Sequence, residues 1–356
     1  MKEYVIAIVG ATGAVGQKMT ELLAESSLPI KNVKFLASSR SAGKKITFKN
    51  QEYIIDELVP DSFKGVDIAL FSAGGSISEK FAPEAVKRGA VVIDNTSAFR
   101  MTKDVPLVVP EVNEAALKTH QGIIANPNCS TIQMMVALEP IRRQFGLNRI
   151  IVSTYQAVSG AGAQAVREME NQAIAQLTDS QIPIPEILPC GGDKKHYQLA
   201  FNVLPQIDVF SDQGYTFEEW KMINETKKIM SDDTIKISAT CVRVPVVTGH
   251  SESIYIEIDQ EDVNTASIKS ILEQAPGVTL QDDPNTQLYP QPLDCVDLPD
   301  VFVGRIRKDI DEVKGFHLWV VSDNLIKGAA WNSIQIAESL HRLDLAAVPE
   351  NDGRRH

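Results

Sequence analysis

The sequence predicts an α/β protein: an N-terminal doubly wound parallel sheet, followed by an α+β domain built on a mixed sheet. Three observations predict it. An apolar run, Tyr4 to Val9, enters a glycine-rich turn and then a helical pattern. The same strand–turn–helix rhythm repeats to about residue 130. Near residue 132 the pattern changes to a long helix and then to extended stretches suited to mixed or antiparallel pairing. A chain of 356 residues suits two domains rather than one. The expected division is 1–130, completed by a C-terminal helix within 329–356, and 131–328.

Composition narrows the function. A hydrophobic content of 44% supports large buried cores. Lys and Arg number 35 against 46 Asp and Glu, a net charge of −11, which argues against a general nucleic-acid surface. A local basic pocket for a small anion remains compatible with that balance. The four cysteines, Cys129, Cys190, Cys241 and Cys295, are widely spaced and form no C-x-x-C pair. Reduced thiols in cytoplasm fit this better than a disulfide framework or zinc ribbon. No close Cys/His cluster suggests a metal site. No apolar run is long enough to cross a bilayer. The apolar start is too short for a signal peptide and reads as the first strand.

The first strand is followed by Gly10-Ala11-Thr12-Gly13-Ala14-Val15-Gly16. Gly10 permits the tight turn, Gly13 a close approach of backbone to a pyrophosphate, and Gly16 close packing of helix on strand. The helix expected from about Val15 to Ala24 would hold phosphates at its N-terminus. Strand before and helix after make this a Rossmann-like dinucleotide site, although its spacing is G-x-x-G-x-x-G. The second strand, Asn32 to Ala37, ends in Ser38-Ser39-Arg40-Ser41, with Lys44 and Lys45 beyond. An NAD site would place a carboxylate here. Serines and a guanidinium suit a 2′-phosphate, so the expected cofactor is NADP.

Val66 to Phe71 gives the next strand, with Ser72-Ala73-Gly74-Gly75-Ser76 leaving room for a nucleotide. A helix near Ser78 to Arg88 leads to the strand Ala90 to Asp94. Arg100 lies beyond its C-terminal end, the edge where open sheets bind ligands, and could clamp a phosphate or carboxylate. Leu107 to Pro110 is read as a strand, leading to a short helix.

Asn126-Pro127-Asn128-Cys129-Ser130-Thr131 carries the strongest chemical signal. It places a thiol between the apolar run Gly122 to Ala125 and a helix expected from about Ile132 to Phe145. Free N–H groups and the partial positive charge of a helix N-terminus favour thiolate there. In the second domain, Asn148 to Ala157 reads as a strand whose Gln156 could orient a substrate. It leads into the small-residue turn Val158-Ser159-Gly160-Ala161-Gly162, and a helix follows over Gln164 to Leu177. On the helix Phe217 to Thr226, Glu218 and Lys221 share a face. They form either a surface pair or a carboxylate and ammonium presented to a zwitterion. Ile235 to Val246 reads as a strand carrying Arg243, and His250 falls in the Gly-containing connection before a strand at Ile254 to Ile258. Paired with Cys129 and the two arginines, His250 is the preferred base.

Taken together, Gly10 to Gly16, Asn126 to Thr131, Glu218 to Lys221 and Arg243 to Glu252 resemble the bacterial aspartate-semialdehyde dehydrogenase family, over nearly the whole chain. The resemblance implies NADPH-dependent conversion of 4-phospho-L-aspartate to L-aspartate 4-semialdehyde, reversibly, on the route to lysine, diaminopimelate, threonine and methionine. It implies Cys129 as nucleophile, with a thioester intermediate, and His250 as acid/base, protonating the developing oxyanion. Gln156, Glu218 and Arg243 would hold the amino-acid part, and Arg100, Asn128 and Lys221 the phosphate. Gly10, Thr12, Gly13, Ala14, Val15, Arg40, Ser41, Ser159, Gly160 and Asn324 would contact NADP. A homodimer or tetramer is implied, the dimer resting largely on the second-domain sheet. The final helix, about Ala329 to Leu345, would pack back on the nucleotide domain. Glyceraldehyde-3-phosphate dehydrogenase and N-acetyl-glutamyl-phosphate reductase share this two-domain plan and a cysteine. A non-catalytic NADP-binding protein is the alternative from another class.

Overall fold

The computed structural model describes residues 2–349. The chain divides into two compact units, 1–127 with 329–356, and 128–328. The last seven residues of the segment expected to form the terminal helix, 350–356, lie outside the described residues.

The first unit opens with β1 (Tyr4–Val9), α1 (Ala14–Glu25) and β2 (Ile30–Ala37). A hairpin of β3 (Lys45–Phe48) and β4 (Gln51–Ile54) precedes the two-residue β5 (Asp56–Glu57). Then come β6 (Ile68–Phe71), α2 (Gly75–Lys87), β7 (Val91–Asp94), α3 (Pro110–Asn113) and β8 (Ile123–Ala125). Six strands form one sheet in the order β5-β2-β1-β6-β7-β8, every pair parallel. Strand order reverses between β1 and β6, the position at which doubly wound sheets open a crevice for a ligand. The central strands are apolar on both faces, with Ile6, Ile8 and Leu70 fully buried on one and Val9, Phe71 and Val92 on the other.

Two local expectations change here. Leu107 to Pro110 is no strand: Leu107 makes one isolated bridge to Ala125, and Pro110 starts α3. Proline has no N–H for a ladder and its fixed φ suits a first helical turn, while the Asn113 side chain takes the Val109 N–H. The β3–β4 hairpin was not expected. Its two-residue loop has Lys49 and Asn50 both at positive φ, the turn whose twist matches paired strands.

The second unit opens with α4 (Cys129–Phe145), β9 (Arg149–Gln156), α5 (Ala163–Leu177) and α6 (Phe217–Met230). It continues with β10 (Lys236–Arg243), β11 (His250–Glu257), α7 (Thr265–Glu273) and β12 (Val278–Leu280). It ends with α8 (Pro292–Cys295), β13 (Val301–Lys308) and β14 (Gly315–Ser322). The sheet order is β10-β9-β11-β14-β13-β12, parallel at β10/β9 and β12/β13 and antiparallel between. Even-numbered residues of β9 and β11 point to the buried face, under α4 and its neighbours. Ile151, Tyr155, Tyr255 and Trp319 point to the other face and stay part-exposed.

β10 stops at Arg243 rather than Val246, because Pro245 cannot donate to a ladder. β11 starts at His250 rather than Ile254. His250 is therefore a strand residue fixed by pairing with Ser322, not a loop residue. Gly249, at φ +95°, makes the turn into it.

A π-helical turn, Ile326–Ala330, leads the chain back to the first unit and α9 (Trp331–Arg342). There Ile334, Ile336 and Leu340 are fully buried in the same core as Ile6, Ile8 and Leu70. Each such side chain contributes about 1.5–3 kcal/mol by leaving water. Asn332 donates to Val108 O and to Asn126 Oδ1, anchoring α9 at both points.

Candidate functional site

In the first unit, the ends of β1 and β6 meet through small residues. A Cβ on Gly10 would stand 3.0 Å from the backbone of Ala73, and Gly10 has φ +87°. A Cβ on Gly16 would stand 2.2 Å from Gly10 O, so helix and turn pack without clearance for any side chain. α1 begins at Ala14 with Gly13 as its N-cap, no capping side chain and no acidic residue in its first turn. Its first N–H groups thus face outward from an uncapped helix end, and Thr12, Gly13 and Ala14 are exposed. This cradle fits a pyrophosphate. At the end of β2, Ser41 N–H bonds Ser38 O and closes a turn that carries Arg40 outward. Arg40 is exposed, with no partner among the described residues. These residues fit the adenosine end of a dinucleotide. Arg100 also lies in this unit, buried, donating from Nε to Asn126 O (2.9 Å) and from an Nη to Asn95 O (3.0 Å).

The second unit gathers the other candidates. Cys129 is the first residue of α4, three positions earlier than the sequence suggested, because Asn128 caps the helix. Asn128 Oδ1 accepts from the N–H groups of Ser130 (3.0 Å) and Thr131 (3.3 Å). The N–H groups expected to be free at this helix end are therefore partly taken: the cap already uses two of them. What α4 offers the thiol is chiefly its dipole. Cys129 is half-buried. Gly328 packs on it so closely that an added Cβ would lie 2.7 Å from Cys129 Cβ.

Glu218 is the hub of a polar cluster. Its Oε1 accepts from Asn128 Nδ2 (2.9 Å) and Gln156 Nε2 (3.1 Å), and its Oε2 pairs with Lys221 (3.2 Å). Lys221 also pairs with Asp208 (2.9 Å). Glu218 is 5% exposed, so this is no surface pair. Burial works to raise the Glu218 carboxyl, but the Lys221 charge and the two amide donors overcome it and hold it at about 2. Burial likewise opposes charge on Lys221, and the two carboxylates reverse that and raise it. α6 is set in place by a reciprocal cap between Thr216 and Glu219, whose second oxygen takes the Cys241 N–H.

Ala157, between Gln156 and the turn, fixes the two remaining groups through its peptide. Its N–H donates to His250 Nδ1 (3.0 Å), and its carbonyl accepts from Arg243 (2.6 Å). His250 is fully buried. Because Nδ1 accepts a hydrogen bond, the neutral ring carries its hydrogen on Nε2, which has no partner among the described residues. Burial and the Arg243 charge push the imidazole down to about 3, against Glu218. Burial also lowers the Arg243 guanidinium, while the charges of Glu218 and Cys129 draw it back up. Gly160 lies over both: a Cβ there would reach 3.2 Å from an Arg243 Nη and 3.5 Å from His250 Nε2. Ser159 bonds Asn324 (3.0 Å), and Asn324 Oδ1 takes the Gly249 N–H.

Three other histidines have structural partners. His120 bridges Leu345 O and Gly122 N–H, His317 pairs with Asp309, and His341 meets the Tyr4 hydroxyl. Among the described residues no cluster of three or more metal-ligating side chains occurs. Three supporting groups escaped the sequence reading. Glu225 takes the Asn128 N–H at 2.7 Å, and its signal was its place two helical turns after Glu218. Asp208, in a loop, and the Ala157 peptide left no pattern to read.

Residues 5–120 match the semialdehyde dehydrogenase NAD-binding domain model, and residues 138–327 match the semialdehyde dehydrogenase dimerisation domain model. An aspartate-semialdehyde dehydrogenase of Bacillus subtilis is 66% identical over 96% of this chain and 98% of its own length. Another, of Aquifex aeolicus, is 52% identical over 95% and 98%. The crystal structure of aspartate semialdehyde dehydrogenase II from Vibrio cholerae, complexed with ASA, superposes with a TM-score of 0.90 at 44% identity, covering 96% and 99% of the two chains. The Candida albicans enzyme with NADP gives 0.72 at 26% identity, covering 97% of this chain and all of its own. The chain belongs to the aspartate-semialdehyde dehydrogenase family.

Proposed function

We propose that this chain catalyses the reversible, NADPH-dependent conversion of 4-phospho-L-aspartate to L-aspartate 4-semialdehyde and phosphate, through a thioester on Cys129. The observation that carries the reading is a half-buried thiol at the start of α4, beside a buried arginine whose peptide anchor also fixes a buried imidazole. Family membership makes aspartate semialdehyde the substrate of choice.

The Cys129 thiolate, favoured by the α4 dipole and Arg243, attacks the acyl carbon. The bond to phosphate breaks, the thioester forms, and the proton consumed overall ends on the released phosphate. NADPH, when bound, supplies the hydride that reduces the thioester to the aldehyde level. Cys129 then leaves as thiolate. His250 presents Nε2–H toward the reacting oxygen as the proton donor of the acid/base pair. Its lowered pKa means it acts from the neutral state until anionic substrate arrives and draws that pKa upward. Arg243 suits the substrate carboxylate and Glu218 the ammonium, with Gln156 held between them. Asn128 and Lys221, and Arg100 in the first unit, are the proposed donors to the phosphate.

Gly10, Thr12, Gly13, Ala14, Val15, Arg40 and Ser41, with Ser159, Gly160 and Asn324, are the proposed NADP contacts. Arg40 favours NADP over NAD. A second copy of the chain covers the open face of the second sheet, where Ile151, Tyr155, Tyr255 and Trp319 stand part-exposed, giving a homodimer. Among the described residues no helix is long and apolar enough to cross a membrane, and the reading places the enzyme in the cytoplasm, in the synthesis of lysine, diaminopimelate, threonine and methionine. The test is phosphate-dependent NADP reduction by the purified protein with L-aspartate 4-semialdehyde. Reduction without a phosphate requirement, or none at all, overturns it.

A further inference from the structure

Glu252 is fully buried on β11, one pleat beyond His250 and on the same face of the sheet. Its register partners are Thr154 on β9 and Val320 on β14, so neither neighbouring strand sets a cation opposite it. The positions that follow on this face, Ile254 and Ile256, are fully buried and apolar. Cys241 on β10 is the titratable group that senses it from beyond β9, and Gln133 faces it from α4. Neither carboxyl oxygen has a formed hydrogen bond, although the Gln133 amide is near enough to act against the effect of burial. Burial holds this acid protonated, well above the usual carboxylate range. A carboxyl in such a place costs stability that an apolar side chain would not.

What surrounds it gives the carboxyl a task. Gln133 lies one turn below Cys129 on α4 and donates from Nε2 to the His250 carbonyl (3.3 Å). Its Oε1 accepts from Ser322 (2.8 Å), the β14 residue paired with His250. Gln133 is thus the tie between the helix that carries the thiol and the strand that carries the imidazole. Its amide has a second N–H, and a protonated carboxyl offers both an acceptor for that N–H and a hydroxyl donor. An ionised or absent carboxyl offers a different partner or none.

We propose that Glu252 is a positioning residue for the reaction: buried beside Gln133 on the face of β11 that carries His250, it holds the tie between α4 and β11 and so sets His250 relative to Cys129. This rests on the roles given above to those two residues. The test compares Glu252→Leu with Glu252→Gln in the full-length enzyme. Leu should keep or raise Tm and leave both KM values within about twofold, while kcat falls about tenfold or more, the scale of a small misplacement. Gln, neutral and with both kinds of hydrogen-bonding atom, should restore kcat to within about threefold of wild type. It should also raise Tm at pH 8 but not at pH 4, because the unfolded glutamate ionises above its ordinary pKa while the folded one does not. Wild-type kcat in Glu252→Leu overturns the proposal, as does a Gln variant as slow as Leu or without the gain at pH 8. If Leu fails to fold, the two Gln readouts decide alone. Failure of the underlying site reading looks different: full turnover in His250→Asn.

Discussion

In the first unit, the groups offered to a ligand are peptide N–H groups around Gly13 at the uncapped end of α1, opened by the absence of side chains at Gly10 and Gly16. In the second unit the same kind of helix end is capped by Asn128, and the offered groups are side chains: Cys129, Glu218, Arg243 and His250. Peptide groups there, above all those of Ala157, serve to hold the side chains still. On the proposed reading, one unit binds through backbone that must be bare, and the other acts through side chains that must be fixed. Loss of a side chain should therefore cost chemistry in the second unit and cofactor discrimination in the first.

The largest effect expected is that of Cys129→Ser, with turnover falling about 10³-fold or more while NADPH binding, followed by cofactor fluorescence, stays near wild type. Substantial residual turnover would break the covalent scheme. His250→Asn should cut kcat about 10²-fold, measured in the semialdehyde-oxidising direction. An unchanged kcat would move the proton donor elsewhere. Arg40→Ala should raise the KM for NADPH about tenfold and leave that for NADH little changed, the scale of a lost charged hydrogen bond. Equal losses with both cofactors would mean that Arg40 does not read the 2′-phosphate.

The smallest expected effect is on stability against pH. His250 is held at about 3 when folded, against an ordinary 6.5. Between those values the unfolded chain binds a proton that the folded one refuses, so stability is full above 6.5 and falls as pH drops toward 3. His250→Asn should remove about 2 kcal/mol of that loss by pH 5, seen as a smaller drop in Tm from pH 7. Glu218, held at about 2 rather than 4.5, adds a separate loss below pH 4.5. An unchanged slope in His250→Asn would show that the imidazole is not kept neutral by its surroundings.

The sequence was most readable where a single residue type has no substitute. Gly10, Gly13 and Gly16 followed from the turn they permit, and Cys129 from its polar neighbours before a helix. His250 stood out among the histidines, yet its place at the start of β11 did not, because the Gly249 turn looks like any loop until the pairing with β14 is known. β13 and β14 went unread: their pairing partners are remote or depend on a register that no local period encodes. Glu218 and Lys221 were legible as a pair but not as a buried one. Their burial depends on Asn128, Gln156 and Asp208, which arrive from three other parts of the chain. Gln133 and Glu252 were silent for the opposite reason, each an ordinary polar residue until a strand is laid beside a helix.

The division of the chain also has a consequence for the order in which it folds. The second unit is one continuous stretch, 128–328, whereas the first needs residues on both sides of it. As the chain is made, the second unit is complete before α9 exists. Until Ile334, Ile336 and Leu340 arrive, the core around Ile6, Ile8 and Leu70 lacks one of its walls. The nucleotide unit is the first to be started and the last to be finished.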